Sequence, residues 1–226
     1  MSDKIRTNFD GYILKDGRFV SIEDADSIYR EIVANVDDRG KVQGILRGLV
    51  DECLGKGLLK AAHSYLEKEF SITDDPQGQA RIHLAAGLIF EKMGDYRSAI
   101  ECCREAFALP REKDRTWYFL HNNLGYCLNQ LGGHDEAERM CRDAIEIDPG
   151  RYNAYKNLGV ALQGQGIYPE AAVLFLRAAF AFPPDPRSIG HLEELLSNHR
   201  EEVEREIPDI AEHLAAAIDA RQKLMQ

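Results

Sequence analysis

The sequence predicts an all-α protein built from stacked helix-turn-helix units, on three observations. The first is self-similarity. Asn123-Leu124-Gly125-Tyr126 matches Asn157-Leu158-Gly159-Val160 at an offset of 34 residues, and the agreement continues through Gly132/Gly166, Ala137/Ala171, Ala144/Ala178 and Pro149/Pro183. An upstream copy sets Gly87, Gly94, Tyr96, Ala99 and Ala106 at the matching places, 38 residues before the second, with the extra four near Arg111–Asp114. The second is spacing: Leu158, Ala161 and Leu162, then Ala171, Leu174, Phe175 and Ala178, recur at helical intervals. The third is punctuation, because Gly166 divides the two runs and Pro183 ends the second. A repeat of this length marks units that cannot bury their apolar faces alone and therefore stack.

The elements follow in order. Tyr12-Ile13-Leu14-Lys15 and Arg18-Phe19-Val20-Ser21 flank Asp16-Gly17, a pair suited to a two-residue hairpin turn between β-prone runs. Ser21-Ile22-Glu23-Asp24 then offers a capping box, with Ser21 as the cap of a helix running to about Asn35, which completes an N-terminal segment of residues 1–41. Residues 42–79 read as a helical pair and possible degenerate repeat, with Leu49 near the glycine place, Gly55 to Gly57 at the turn, and Ala61 and Tyr65 on the second helix. Three units are expected at 80–117, 118–151 and 152–184. Gly159 and Ala171 sit where paired helices approach closely, Gly166 gives the turn its permissive backbone, and Pro149 and Pro183 cannot continue a helix. Past Pro183-Pro184, a helix over about Asp185–Arg205 and another after Pro208 give residues 185–226 ten acidic against five basic residues. A polar outer layer of this kind keeps the open end of a stack soluble.

The repeat spells a known pattern. The third copy reads Tyr155-x2-Leu158-Gly159-x2-Leu162, then Ala171-x3-Phe175-x2-Ala178 and Pro183. The second reads His121-x2-Leu124-Gly125-x2-Leu128, then Ala137-x3-Cys141-x2-Ala144 and Pro149. The first has His83 at the aromatic place and Ala86 at the leucine place, with Pro110 one residue early. This resembles the tetratricopeptide-repeat (TPR) family, with its 34-residue W-x2-L-G-x2-Y…A-x3-F…P signature. The resemblance implies a right-handed superhelical solenoid.

Composition narrows the function. At 226 residues and 44% hydrophobic content the chain can bury a sizeable core. It has no apolar run of membrane-spanning length, and Met1-Ser2-Asp3-Lys4-Ile5-Arg6 is not a signal peptide. The five cysteines lie inside helical patterns, so a reduced, cytoplasmic protein is expected. The net charge of −10 divides into −4 over residues 1–79, −1 over 80–184 and −5 over 185–226. That balance disfavours nucleic acid, which is bound through a cationic face. Cys102-Cys103 points two adjacent side chains apart, as core cysteines do. His191, His199, Asp209 and His213 lack the spacing of a multi-ligand zinc site. There is no phosphate loop, no Ser-His-Asp or Cys-His order and no HExxH, so neither catalysis nor a cofactor or metal is expected.

The TPR resemblance implies that the first helix of each unit lines a concave groove that holds an extended peptide of a partner. The places carried over are Arg81, Leu84, Leu88 and Lys92 in the first copy, Phe119, Asn122, Asn123, Tyr126 and Asn129 in the second, and Asn153, Lys156, Asn157, Val160 and Gln163 in the third. Amides dominate, and each offers a donor and an acceptor to a peptide unit. Asparagine is a poor helix former, so several on one face ask for a reason beyond solvation. The implied function is a non-catalytic scaffold or chaperone with a protein or peptide partner and no membrane or nucleic-acid ligand. The alternative is a self-assembling scaffold, a homo-oligomer whose groove is filled by its own terminal segment or by a second copy.

Overall fold

The computed structural model describes residues 6–7, 12–15, 18–110 and 114–225. Helices carry the fold, and the chain divides into two compact units, residues 1–110 and 111–226. The first unit opens with β1 (Arg6–Thr7), β2 (Tyr12–Lys15) and β3 (Arg18–Ser21), an antiparallel sheet in that order. The register pairs Tyr12 with Ser21 and Lys15 with Arg18, which leaves two residues between the strands. Asp16 and Gly17 themselves lie outside the described residues.

Five helices follow: α1 (Ala25–Asn35), α2 (Arg39–Gly55), α3 (Leu59–Ser71), α4 (Pro76–Met93) and α5 (Tyr96–Phe107). The cap of α1 differs from the sequence expectation. Ser21 closes β3, and it is Asp24 whose carboxylate accepts from Ser27 N at 3.1 Å. A residue held in the sheet ladder cannot also turn the chain into the helix, so the next acceptor does so. Leu46, Leu49, Cys53, Ala62, Tyr65 and Ile89 are fully buried in one core, and Tyr65 Oη donates to the Ile22 carbonyl at 2.7 Å, tying α3 to the start of α1. Glu69 is 2% exposed and is neutralised by Arg47, whose Nε donates to its carboxylate at 2.6 Å.

The second unit holds α6 (Arg115–Gln130), α7 (His134–Ile147), α8 (Tyr152–Gly164), α9 (Tyr168–Ala181), α10 (Arg187–Glu206) and α11 (Ile210–Leu224). α6–α7 and α8–α9 are helix-turn-helix pairs, α10 packs on α9 and α8, and α11 packs on α9 and α10. In each α4–α5, α6–α7 and α8–α9 turn a glycine takes positive φ: 76° at Gly94, 76° at Gly132 and 81° at Gly166. A side chain there would meet its own carbonyl, which is why the sequence repeats glycine at this place. Close approach explains a different glycine. A Cβ on Gly159 would lie 2.7 Å from the Phe175 ring, so α8 and α9 pack at a distance only a bare backbone allows.

All five cysteines are free and buried. Burial pushes the thiols of Cys53 and Cys102 up to about 11 and that of Cys141 up to about 12, so they are neutral core groups. Among the described residues no helix is long and apolar enough to cross a membrane, and no group of three or more His, Cys, Asp or Glu could hold a metal ion.

His191 on α10 stacks on Phe175 with ring centroids 5.3 Å apart. Burial, reinforced by the Lys156 cation, lowers its pKa below the ordinary 6.5. The unfolded chain therefore binds a proton more readily than the fold does. Stability is fully present above about 6.5 and is lost as pH falls through the folded value. In a series of thermal melts, His191→Gln is expected to flatten the decline of melting temperature on this acid side; an unchanged slope would rule out the histidine as its source.

Candidate functional site

The sequence-derived residues of the second unit fall on α6 and α8, which lie side by side. Asp114 starts α6 by accepting from Thr116 N at 2.9 Å and Trp117 N at 3.2 Å, and from there helical spacing turns Asn122 and Asn129, seven residues apart, toward α8, with Asn123 beside Asn122. The structure makes these amides partners of one another. Asn157 Nδ2 donates to Asn122 Oδ1 at 3.1 Å, and Asn122 Nδ2 donates to Asn123 Oδ1 at 3.0 Å. Asn129 Nδ2 donates to the Asn157 carbonyl at 2.8 Å. Its Oδ1 then faces His134 Nδ1 at 3.1 Å, which requires that nitrogen to carry the proton. One polar chain thus runs from the α6–α7 turn, across the helix contact, to Asn123.

Burial separates the members of this chain. Asn122 is 7% exposed, Asn157 4% and Asn129 8%, whereas Asn123 is half-buried. Asn157 is thus not an open groove residue, since its amide is spent on joining α8 to α6. Asn123 differs, because its oxygen is taken by Asn122 and its Nδ2 has no partner among the described residues. Asn153, half-buried one turn before Asn157, also has no partner among the described residues. Tyr126 is half-buried on α6.

The remaining predicted residues lie elsewhere. Lys156 is 5% exposed, and its charge acts on Asp185 and His191. Asp185, 8% exposed, accepts from Arg187 Nη2 at 2.7 Å and Nε at 2.8 Å. Burial alone would raise this carboxyl, but the Arg187 hydrogen bonds and charge hold it down at about 2. The group brings two cations to one carboxylate beside the amide face. Phe119 is packed with Tyr118, Ala144 and Ala154, and the Arg151 guanidinium lies 5.0 Å from its ring. Arg81 belongs to the first unit, where it is exposed and lines a cavity of about 190 Å³ with Arg47, Asp51, Leu66, Glu69 and Ile82. His134 was absent from the sequence-derived set, because its place at the start of a second helix reads as packing. Only its bond to Asn129 joins it to the amides.

Models of the tetratricopeptide repeat match residues 80–113 and 130–186. The peroxisomal targeting signal receptor of Eremothecium gossypii is 30% identical over 103 residues, which are 46% of this chain and 17% of that protein, so the chain spans under a fifth of that relative's length. Among solved structures, MamA of Desulfovibrio magneticus RS-1 superimposes with a TM-score of 0.62 at 18% identity, covering 80% of this chain and 96% of that one. PilF of Pseudomonas aeruginosa gives 0.61 at 22%, over 79% of this chain and 78% of that one. YrrB, described as a TPR protein with an unusual peptide-binding site, gives 0.58 at 20%, over 76% and 84%. At these identities the structural likeness is one of fold. With the Gly159 and Phe175 packing and the repeated turn glycines, the matches identify the chain as a member of the tetratricopeptide-repeat family, a fold of protein-interaction modules.

Proposed function

We propose that this protein is a non-catalytic interaction module, a cytoplasmic scaffold or chaperone, that holds an extended segment of a partner protein along the face shared by α6 and α8. The observation that carries this reading is the direction of the amide chain. Because Asn157 and Asn122 pass their donors toward Asn123, the Asn123 oxygen is occupied and its N–H groups face outward, preset to donate to a peptide carbonyl. Asn153 supplies a second amide one helix away, and Tyr126 an adjacent ring. Arg81 would serve a separate contact on the first unit. The description of YrrB as peptide-binding and of the fungal relative as a receptor for a targeting signal supports the same reading.

The test selects ligands from a random-peptide display library and measures the best of them by calorimetry. Asn123→Ala with Asn153→Ala is expected to weaken binding by about 1–3 kcal/mol, since paired peptide groups lose their partners, while the protein stays folded with a melting temperature lowered less than by Asn157→Ala. Equal affinity in the double variant would sink the proposal. Light scattering on the free protein addresses the self-assembly alternative, which the exposed Leu224 and Met225 at the chain end favour. A mass above one chain that falls when residues 206–226 are removed would support it.

A further inference from the structure

A second cavity, of about 250 Å³, lies wholly within the first unit, where α3, α4 and α5 meet. Its floor is apolar, formed by Leu66, Ile82, Ala86 and Cys102, with Phe70 at one side. Its mouth is acidic, with a histidine beside each carboxylate. Glu105 Oε2 lies 3.2 Å from His83 Nδ1, and Glu67 Oε1 lies 3.9 Å from His63 Nδ1. Both carboxylates remain reachable, with side chains 65% and 63% exposed, and among the described residues no lysine or arginine lines the cavity. The Phe70 and His83 rings meet edge to face at 5.1 Å.

The repeat itself indicates what fits over these rings. In the third copy the counterparts of His83 and Glu105 are Tyr155 and Arg177, and the Arg177 guanidinium lies 3.9 Å from the Tyr155 ring centroid. There the seam carries its own cation on its own ring. In the second copy the counterparts are His121 and Asp143, 3.6 Å apart, and His121 is sealed at 5% exposure. In the first copy the guanidinium is replaced by a carboxylate and the seam is open. The position thus keeps an aromatic ring but presents the opposite charge. Burial lowers the pKa of His83, so at neutral pH the imidazole adds no charge to offset the two glutamates.

We propose that this cavity binds an arginine side chain of a partner protein, the guanidinium lying between Glu67 and Glu105 and the aliphatic stem on Leu66, Ile82 and Phe70. A guanidinium pairs with carboxylates through its planar donors and stacks on rings, and its stem covers apolar surface. This site is distinct from the α6–α8 face and does not depend on it.

The test is an NMR titration of the whole, isotope-labelled protein with N-acetyl-arginine methylamide, with N-acetyl-leucine methylamide as the apolar control. Saturable shifts are expected at Phe70, His83, Cys102 and Glu105, and the arginine probe should bind more tightly than the leucine probe. Glu67→Gln with Glu105→Gln, both at exposed side chains, should weaken the arginine probe roughly fivefold to tenfold without changing the melting temperature. The proposal is overturned if the shifts are absent or do not saturate, if the leucine probe binds equally well, or if the double variant binds like the parent.

Discussion

Gly159→Leu is expected to lower the free energy of unfolding by about 3 kcal/mol. The reason is a distance. A Cβ at this site would stand 2.7 Å from Cε1 and 2.9 Å from Cδ1 of Phe175, and leucine adds three more carbons in the same direction. Phe175 is fully buried and its ring stacks on His191, so it cannot swing away without disturbing α10. Denaturant unfolding of the variant measures the loss. The double variant Gly159→Leu/Phe175→Ala supplies the control, because an emptied ring site should accept the leucine and make the two losses less than additive. A Gly159→Leu protein that unfolds at the parent's denaturant midpoint would mean that α8 and α9 do not meet here.

Asn157→Ala is expected to cost about 2 kcal/mol, although asparagine is a poor helix former and alanine the best. The substitution strands the Asn122 oxygen, which accepts from Asn157 at 3.1 Å in a residue only 7% exposed. A buried acceptor left without its donor carries its full desolvation penalty. Asn123→Ala, by contrast, takes the acceptor from the Asn122 Nδ2 donor, but at a half-buried position at the end of the chain of amides, and should cost no more than about 1 kcal/mol. Thermal melts of the two variants discriminate directly. Equal effects would erase the distinction between an asparagine that joins two helices and one that ends the chain of amides. A double-mutant cycle between Asn122 and Asn157 should return a coupling of about 1 kcal/mol.

That distinction marks where reading along the chain stops. Asn123 and Asn157 occupy the same place in successive repeats, and by sequence they are interchangeable. Helical periodicity gives each side chain an angle about its own axis and nothing about the neighbouring helix. Asn157 has Asn122 within reach of its amide nitrogen, whereas the Asn123 amide nitrogen has no such partner among the described residues. Lys156 is likewise drawn down to 5% exposure beside Asp185, a contact set by how α10 returns across α8. The shift of the α1 cap from Ser21 to Asp24 has a similar origin, since pairing of Ser21 with Tyr12 in the sheet competes with capping.

The sequence by itself determined the repeat, its helix-turn-helix content, the turn glycines and the close approach of α8 and α9 at Gly159. Each of these rests on conformations that few residues can adopt or on volumes that only one side chain leaves free, so composition at a fixed spacing suffices. Only the tertiary structure decided which amides are spent within the fold and which keep a donor without a partner among the described residues. It also decided that Glu67 and Glu105 share one cavity mouth and that Arg81 stands in a different compact unit from the asparagines. Hydrogen bonds and desolvation depend on distances between helices, which a one-dimensional pattern does not encode.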